Sequence, residues 1–329
     1  LAADAPELAL ERMAEVAALE RPASPKRMLV IVNPYATTMS DRLKHLVVYA
    51  LQGRYEVHAV DTQRVGHCTD LCREAAQEGY DVVVAFGGDG TVNEAANGLA
   101  GSETPLTCLP GGSNNVYAKV LGIPTDVVDA TEHLLRMADT WRVRAADLGR
   151  VGDRWFTFAA GMGLDASVVE RVNNHPRRKT RWGAWYFTEV AVVTFLRRYI
   201  ANPPRLEVTA GETTLRGVSM FLQNAEQYTY FKDRPVSLVE GARFDSGELA
   251  GVVLTRANPI DVPTVTFRAL SGAAKVARHR RIDAFAGARE VRVRSLDGRP
   301  IPVQVDGDHV SDEVEATFTV VPGALRVVA

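Results

Sequence analysis

Between residues 28 and 138, short apolar runs alternate with stretches of helical spacing, and few folds accept that order. Met28–Val32 and Asp81–Phe86 are brief, β-branched and almost uninterrupted, as strands buried on both faces must be. Tyr55–Val60 and Leu106–Leu109 read as further strands. Asp41–Leu51, Thr69–Gln77, Thr91–Leu99, Asn115–Leu121 and Val127–Ala138 read as the helices between and after them. Strands joined by helices of this length need right-handed crossovers, which predicts a mainly parallel sheet. Ahead of the pattern, Pro22-Ala23-Ser24-Pro25 is a breaker. Residues 1–20 carry Asp4, Glu7, Glu11, Glu15 and Glu20, so they predict an acidic amphipathic helix and not a signal peptide.

After Trp141 the period changes. Arg142–Leu148, Trp155–Ala159, Arg205–Val208, Gly217–Leu222, Leu249–Leu254, Glu290–Arg294, Pro302–Val305 and Ala316–Val320 are short and mostly alternating. Turns such as Val151-Gly152-Asp153, Asp297-Gly298 and Asp306-Gly307-Asp308 separate them, which predicts an antiparallel sandwich. Trp182–Tyr199 and Pro263–Arg278 read as helical insertions. The expected fold is therefore an α/β N-terminal domain with a mainly parallel sheet, followed by a β-sandwich domain with helical insertions. The boundaries fall at 1–25 for the helical extension, 26–144 for the first domain and 145–314 for the second. Residues 315–329 form a last strand able to return to the first domain.

A length of 329 residues fits two cores better than one. The net charge of −2 gives the chain no overall pull towards nucleic acid or anionic membrane, so any such bias must be local. Cys68, Cys72 and Cys108 lack a second Cys/His pair at ligand spacing, and read as free thiols of a reducing compartment. No apolar stretch is long enough to span a bilayer.

Phe86-Gly87-Gly88-Asp89-Gly90-Thr91 lies directly between an apolar strand and a helix. Its glycines let backbone N–H groups approach an anion, and the helix beginning at Thr91 aims its positive end at the same point. Asp89 among them suggests a metal ion beside phosphates; the alternative is an N-cap in an ordinary glycine-rich turn. Leu109-Pro110-Gly111-Gly112-Ser113-Asn114-Asn115 repeats the arrangement after the next strand, with Ser113 and Asn115 able to bond phosphate or ribose; the alternative is capping by Ser113 or Asn114. Val32-Asn33-Pro34-Tyr35-Ala36-Thr37-Thr38 leaves the first strand at the same edge. Three polar loops at the carboxyl ends of parallel strands favour a nucleotide cleft.

These residues resemble the diacylglycerol kinase catalytic-domain family, which includes bacterial lipid kinases and sphingosine kinases. The resemblance rests on Asn33-Pro34, Gly87-Gly88-Asp89-Gly90-Thr91 and Pro110–Asn115. It continues through Ala146-Asp147-Leu148-Gly149, Gly161-Met162-Gly163-Leu164-Asp165-Ala166 and Val305-Asp306-Gly307-Asp308, so it covers nearly all of the chain after residue 25. The glycine–aspartate loop alone is shared with NAD kinases and phosphofructokinases. The resemblance implies ATP held by Asn33, Pro34, Thr37, Thr62, Gly87, the loop from Gly88 through Gly90, Thr91 and Asn93 to Glu94, and Gly112, Ser113 and Asn115. It implies Mg²⁺ near Asp89 and Asp147, with Asp165 structural, and a lipid-facing second domain. Asp306 or Asp308 becomes the base that takes the proton of a lipid hydroxyl; the alternative for both is a hairpin turn.

The sequence departs from the family pattern in three places. Ala36, Thr37 and Thr38 replace a Ser/Gly-Gly pair or basic residue, Val116 replaces an acid, and Ser246 replaces an aspartate of a second metal site. The resemblance implies a cytoplasmic protein that visits the inner face of the membrane, with a lipid substrate and no nucleic acid. Arg177, Arg178, Lys179 and Arg181 before Trp182, Trp185, Tyr186 and Phe187 suit docking on anionic lipid, or equally a core helix with a solvated start. Arg278-His279-Arg280-Arg281 adds to that face or forms a charged loop. A homodimer is compatible with the sequence, which does not fix the oligomeric state. A NAD kinase-like small-molecule kinase and a non-catalytic lipid-binding module are the competing functions.

Overall fold

In the computed structural model, which describes residues 5–19, 22, 24–36, 40–163, 203–231, 234–258, 261–272 and 274–329, the chain divides into two units. The first unit is Leu1–Ala146 with Gly323–Ala329, and the second is Asp147–Pro322.

The first unit is built on four parallel strands in the order β2 (Glu56–Asp61), β1 (Arg27–Val32), β3 (Val82–Gly87), β4 (Leu106–Pro110). β3 and β4 are buried along their whole length, which is why their sequences do not alternate. The edge strand β2 is exposed or half-exposed along its whole length. Crossovers run through α2 (Asp41–Leu51), α3 (His67–Glu78) and α4 (Asp89–Leu99), followed by α5 (Val116–Leu121) and α6 (Val127–Met137). Local chemistry sets their ends. Ser40 accepts from Leu43 N and Asp126 from Val128 N and Asp129 N, while Gly79 and Gly122 close α3 and α5 at positive φ.

The leading helix α1 (Ala5–Leu19) packs against α2 and α6 and buries Leu10, Ala14 and Ala17. A Cβ on Gly53 would lie 2.6 Å from that of Ala17, so only glycine allows the approach. Glu7 of this helix pairs with Arg42 at 2.9 Å.

The second unit is antiparallel. One sheet has the order β14 (Ile282–Ala288), β13 (Leu249–Leu254), β10 (Ser219–Gln223), β7 (Ala159–Met162), β16 (Ile301–Val305), β17 (Asp308–Glu313). The other contains β9 (Thr213–Gly217), β8 (Leu206–Ala210), β15 (Glu290–Ser295) and the first part of β18 (Glu315–Val328). Between them Phe156, Met162, Met220, Val208, Val291, Val303 and Phe318 form one apolar core, as a sandwich requires. β5 (Val143–Val151) and β6 (Arg154–Phe156) form a hairpin, and β11 (Thr229–Phe231) and β12 (Arg234–Val236) a small separate ribbon.

Several boundaries differ from expectation for identifiable reasons. The strand predicted over Trp155–Ala159 is broken, because Thr157, Phe158 and Ala159 turn their N–H groups onto the Asp306 carboxylate. The strand predicted over Ala316–Val320 extends to Val328, and its end lies beside β4 with Val327 opposite Leu106. The helix predicted over Pro263–Arg278 is α7 (Asp261–Ser271); Gly272 at φ 63 ends it, and a 3-10 turn follows at Val276–Arg278. All three cysteines are buried free thiols. Residues Trp182–Tyr199, the Arg177–Arg181 cluster, Leu164-Asp165-Ala166, Thr37 and Thr38 lie outside the described residues. Among the described residues no helix is long and apolar enough to cross a membrane.

α7 is anchored at its first residue. Asp261 is 1% exposed and accepts from Arg280 at 2.7 Å and Arg281 at 3.0 Å, while Asn258 bonds both its carboxylate and its N–H. Arg280 first, then Arg281 and Asn258, hold the Asp261 carboxyl down to about 2. Unfolded aspartate titrates near about 3.9, so the stabilisation is complete above that value and disappears as pH falls through about 2. The expected outcome is a melting temperature that drops across that acid window in the wild type. The drop should be smaller in Asp261→Asn when both are followed by circular dichroism.

Candidate nucleotide site

The first unit gathers three loops at the carboxyl ends of β1, β3 and β4. Gly111 N donates to Gly87 O at 2.9 Å, tying the loop after β4 to the end of β3. A Cβ on Gly112 would sit 2.7 Å from Gly88 Cα, so the two backbones meet where any side chain would force them apart. From β1, Asn33 N donates to Phe86 O at 2.9 Å and Asn33 Nδ2 to Thr91 Oγ1 at 3.1 Å. A Cβ on Gly87 would fall 2.4 Å from that same Thr91 Oγ1. Asn33, Gly87, Gly88, Thr91 and Gly112 are thus one contiguous arrangement.

α4 begins at Asp89, two residues earlier than expected, with Gly88 extended as its N-cap and lacking a side chain to fill the cap. An acid in the first turn suits the positive helix end. Asp89 also has a duty not visible in the sequence: its Oδ1 accepts from Tyr117 N at 3.2 Å, at the start of α5. Its charge, after burial, helps to push the Cys108 thiol up. Asn115 is the residue before α5, held at φ 47, and its side chain exchanges bonds with Gly112 N at 2.9 Å and Gly112 O at 2.8 Å. The Gly111–Asn115 turn is therefore stapled shut by Asn115, while Ser113 and Asn114 at its tip are exposed.

Other expected contributors stand elsewhere. Glu94 spends its carboxylate on the start of α3, accepting from Gly66 N at 2.9 Å and Cys68 N at 3.2 Å. Asn93 is wholly buried, and its Oδ1 accepts from Asn97 Nδ2 at 3.2 Å. Thr62 follows β2 and its N–H bonds Val32 O at 2.8 Å; Gly90 is exposed; Thr37 lies outside the described residues.

One residue of this unit gave no sequence signal. Lys44 of α2 is only 7% exposed, and its Nζ donates to Pro34 O at 3.1 Å, with Asp41 Oδ1 at 3.4 Å. A lysine in the middle of an amphipathic helix looks solvated in a linear reading. Here its ammonium pins the Asn33-Pro34 exit from β1.

The second unit holds the remaining acids. Asp306 sits at φ 48 and Gly307 at φ 85, the left-handed pair of a two-residue hairpin turn between β16 and β17. The Asp306 carboxylate is filled. Oδ2 accepts from Thr157 N at 2.7 Å and Thr157 Oγ1 at 2.8 Å, and Oδ1 from Phe158 N and Ala159 N, both at 3.0 Å. Burial raises its pKa against the pull of these donors. Gln304 Oε1 accepts from Gly307 N at 2.9 Å, and Gln304 Nε2 donates to Tyr228 Oη at 3.1 Å. Asp308, the first residue of β17, is half-buried. Asp147 is 4% exposed; Gly247 N donates to its Oδ2, and its own N–H bonds Phe244 O at 2.7 Å.

Among the described residues no three acidic, histidine or cysteine side chains are grouped as metal ligands. Mg²⁺ at phosphates needs no such cage: one or two carboxylates suffice when phosphate oxygens and water supply the rest. Asp89, half-buried beside both glycine loops, fits that role. Asp147 already gives one carboxylate oxygen, Oδ2, to Gly247 N.

Residues 27–151 match the family model described as the diacylglycerol kinase catalytic domain. Residues 159–329 match the YegS C-terminal NAD kinase beta sandwich-like domain. A diacylglycerol kinase of Bacillus subtilis strain 168 is 29% identical over 259 residues, covering 75% of this chain and 80% of that protein. A diacylglycerol kinase of Staphylococcus aureus strain bovine RF122 / ET3-1 is 25% identical over 292 residues, covering 86% of both. A crystal structure described as a diacylglycerol kinase from Bacillus anthracis strain Sterne superposes with a TM-score of 0.69, at 22% identity, over 93% of this chain and 98% of that one. The last comparison bears on the fold alone.

Gly112→Ala should part the two loops and weaken binding of a fluorescent ATP analogue about tenfold or more, a loss of about 1.4 kcal/mol. Lys44→Met should raise the Kd for the same analogue severalfold, with Lys44→Arg partly restoring it. Unchanged affinity in both glycine and lysine variants, with folding intact by circular dichroism, would remove the nucleotide from this edge.

Proposed function

The chain belongs to the family that carries a diacylglycerol kinase catalytic domain, and on that footing we propose that it transfers the γ-phosphoryl group of ATP to the hydroxyl of diacylglycerol or a related lipid alcohol. The observation that carries this reading is the meeting of Gly88 with Gly112, which brings two backbone turns and the start of α4 to one point. Such a cradle suits a triphosphate, because N–H groups and the helix dipole neutralise its charge without side chains.

Residues 26–144 supply the nucleotide half in this reading, and residues 145–314 the lipid half. Asn33, with Thr91 held beneath it, orients the first loop, and Asn115 keeps the second closed. Asp89, with the phosphates, would hold Mg²⁺, which would supply charge neutralisation for the transferring group. The lipid hydroxyl oxygen attacks the γ-phosphorus, the bond to the bridging oxygen breaks, and ADP leaves. The hydroxyl proton goes to a carboxylate.

Between the two candidates for that carboxylate, Asp308 is the better base. A base needs a lone pair that faces the substrate. Asp306 already directs both oxygens at four donors, so its role is to lock the turn to the backbone of Thr157–Ala159. Asp308 stands two residues on, half-buried, as the first residue of β17.

Two measurements test this reading. Labelled ATP offered with a panel of lipid alcohols, and with NAD as competing acceptor, should label a lipid and leave NAD untouched. Label on NAD alone would replace the lipid kinase with a small-molecule kinase, and label on nothing would favour a binding module. Asp308→Asn should lower kcat by at least about a hundredfold at unchanged melting temperature. Asp306→Asn should cost about 2–3 kcal/mol of stability through its stranded N–H donors. If Asp306→Asn melts like the wild type yet loses turnover, the base is Asp306.

A further inference from the structure

Between Thr255 and Arg281 the chain has six cationic side chains and a single acid, Asp261, a local charge of +5 in a protein whose total is −2. The fold concentrates these charges further. Arg280 and Arg281 share the one buried Asp261 carboxylate at the start of α7, so two cations are fixed there against one anion. Thr255 N and Thr255 Oγ1 both donate to Arg281 O, which brings Arg256 to the same corner. His279 Nε2 and Thr264 Oγ1 are 3.0 Å apart, holding the Val276–Arg278 turn against the first turn of α7. Burial, then Arg268, Arg280 and Arg281, push the His279 pKa down, as expected where three guanidinium groups crowd one ring. Asp261 opposes them.

Glu240 also interacts with this cluster, paired with Lys275 at 2.5 Å and felt by Arg278. The positive excess survives it. The side chain of Arg280 remains 68% exposed despite its ion pair, and Arg256 and Arg278 are exposed. Next to Arg268 on α7, Phe267 is 66% exposed, a large apolar ring in water with cations on its flank. An exposed aromatic among arginines is costly in solvent and suits a surface whose outer layer is anionic and whose inner layer is apolar.

We propose that this corner of the second unit, which carries Phe267, Arg256, Arg268, Arg278 and Arg280, docks the protein onto anionic phospholipid headgroups. The proposal rests on the lipid-kinase reading, which requires contact with a bilayer, and it names the face that makes that contact. The segment has no part in the nucleotide loops or the Asp306–Asp308 turn. Docking there raises the local concentration of lipid acceptor and leaves the chemistry of transfer untouched.

Vesicles of phosphatidylcholine, with and without phosphatidylglycerol, provide the test by co-sedimentation with the full chain. The wild type should bind the anionic vesicles in a salt-sensitive way, and Arg256→Glu with Arg278→Glu should weaken that binding by about tenfold or more. Phe267→Ser should lower what binding persists at high salt. Phosphorylation of a short-chain, water-soluble diacylglycerol should be the same in all variants, with unchanged melting temperatures. Equal vesicle binding by wild type and the double variant would overturn the proposal. So would equal preference for heparin, which would make the corner a general polyanion site. Vesicle binding without phosphorylation of any lipid would instead sink the kinase reading and leave the docking face standing.

Discussion

Two glycine backbones in contact set the chemistry available to this protein. Gly88 ends one strand–helix turn and Gly112 lies in the next, and a side chain on Gly112 would collide with the Cα of Gly88. That approach is possible because β3 and β4 are parallel neighbours in register, Gly87 opposite Pro110, so their loops leave the sheet side by side. The register in turn depends on fully buried strands, whose apolar faces tolerate no slip. Sequence pattern, sheet order and strand register lead in turn to the contact of Gly88 with Gly112.

In the second unit a different physics operates. Its fixed point is a buried carboxylate satisfied by main-chain donors: Asp306 turns the hairpin at positive φ and is wrapped by Thr157, Phe158 and Ala159. Asn224, wholly buried, extends the lock by donating to the carbonyls of Asp147 and Thr157. Gln304 holds Gly307 from the other side and reaches Tyr228. Removing the shared carboxylate would strand all of these donors in a medium that cannot solvate them, which ties the turn to the backbone of Thr157–Ala159. Such a turn suits the role proposed for Asp308, the next residue along the chain after Gly307.

Much of this was legible before any coordinates. The parallel half was marked by runs such as Met28–Val32, since period and length there leave few alternatives. The sandwich was marked by alternation and Asp-Gly turns, and Asp306-Gly307 is such a turn. The resemblance to the family reached the same three loops. What a linear reading could not supply were duties set by distant partners. Glu94 looked like part of a phosphate loop, yet its carboxylate caps a helix that begins 27 residues earlier in the chain, at His67. Lys44 looked solvated and is buried under Pro34. Asp147 looked like a metal ligand, and Gly247, a hundred residues on, claims its oxygen. The strand predicted through Ala159 broke because an acid near the far end of the chain captures its N–H groups.

Amide exchange followed by mass spectrometry, with and without ATP and Mg²⁺, reads the central claim most directly. A triphosphate gripped where Gly88 meets Gly112 slows exchange at residues 87–92 and 111–115 together, and leaves the already bonded amides of 157–159 unchanged. Protection absent from both glycine loops, under conditions where ATP binds, would mean that the nucleotide sits elsewhere and that the cradle is only a turn.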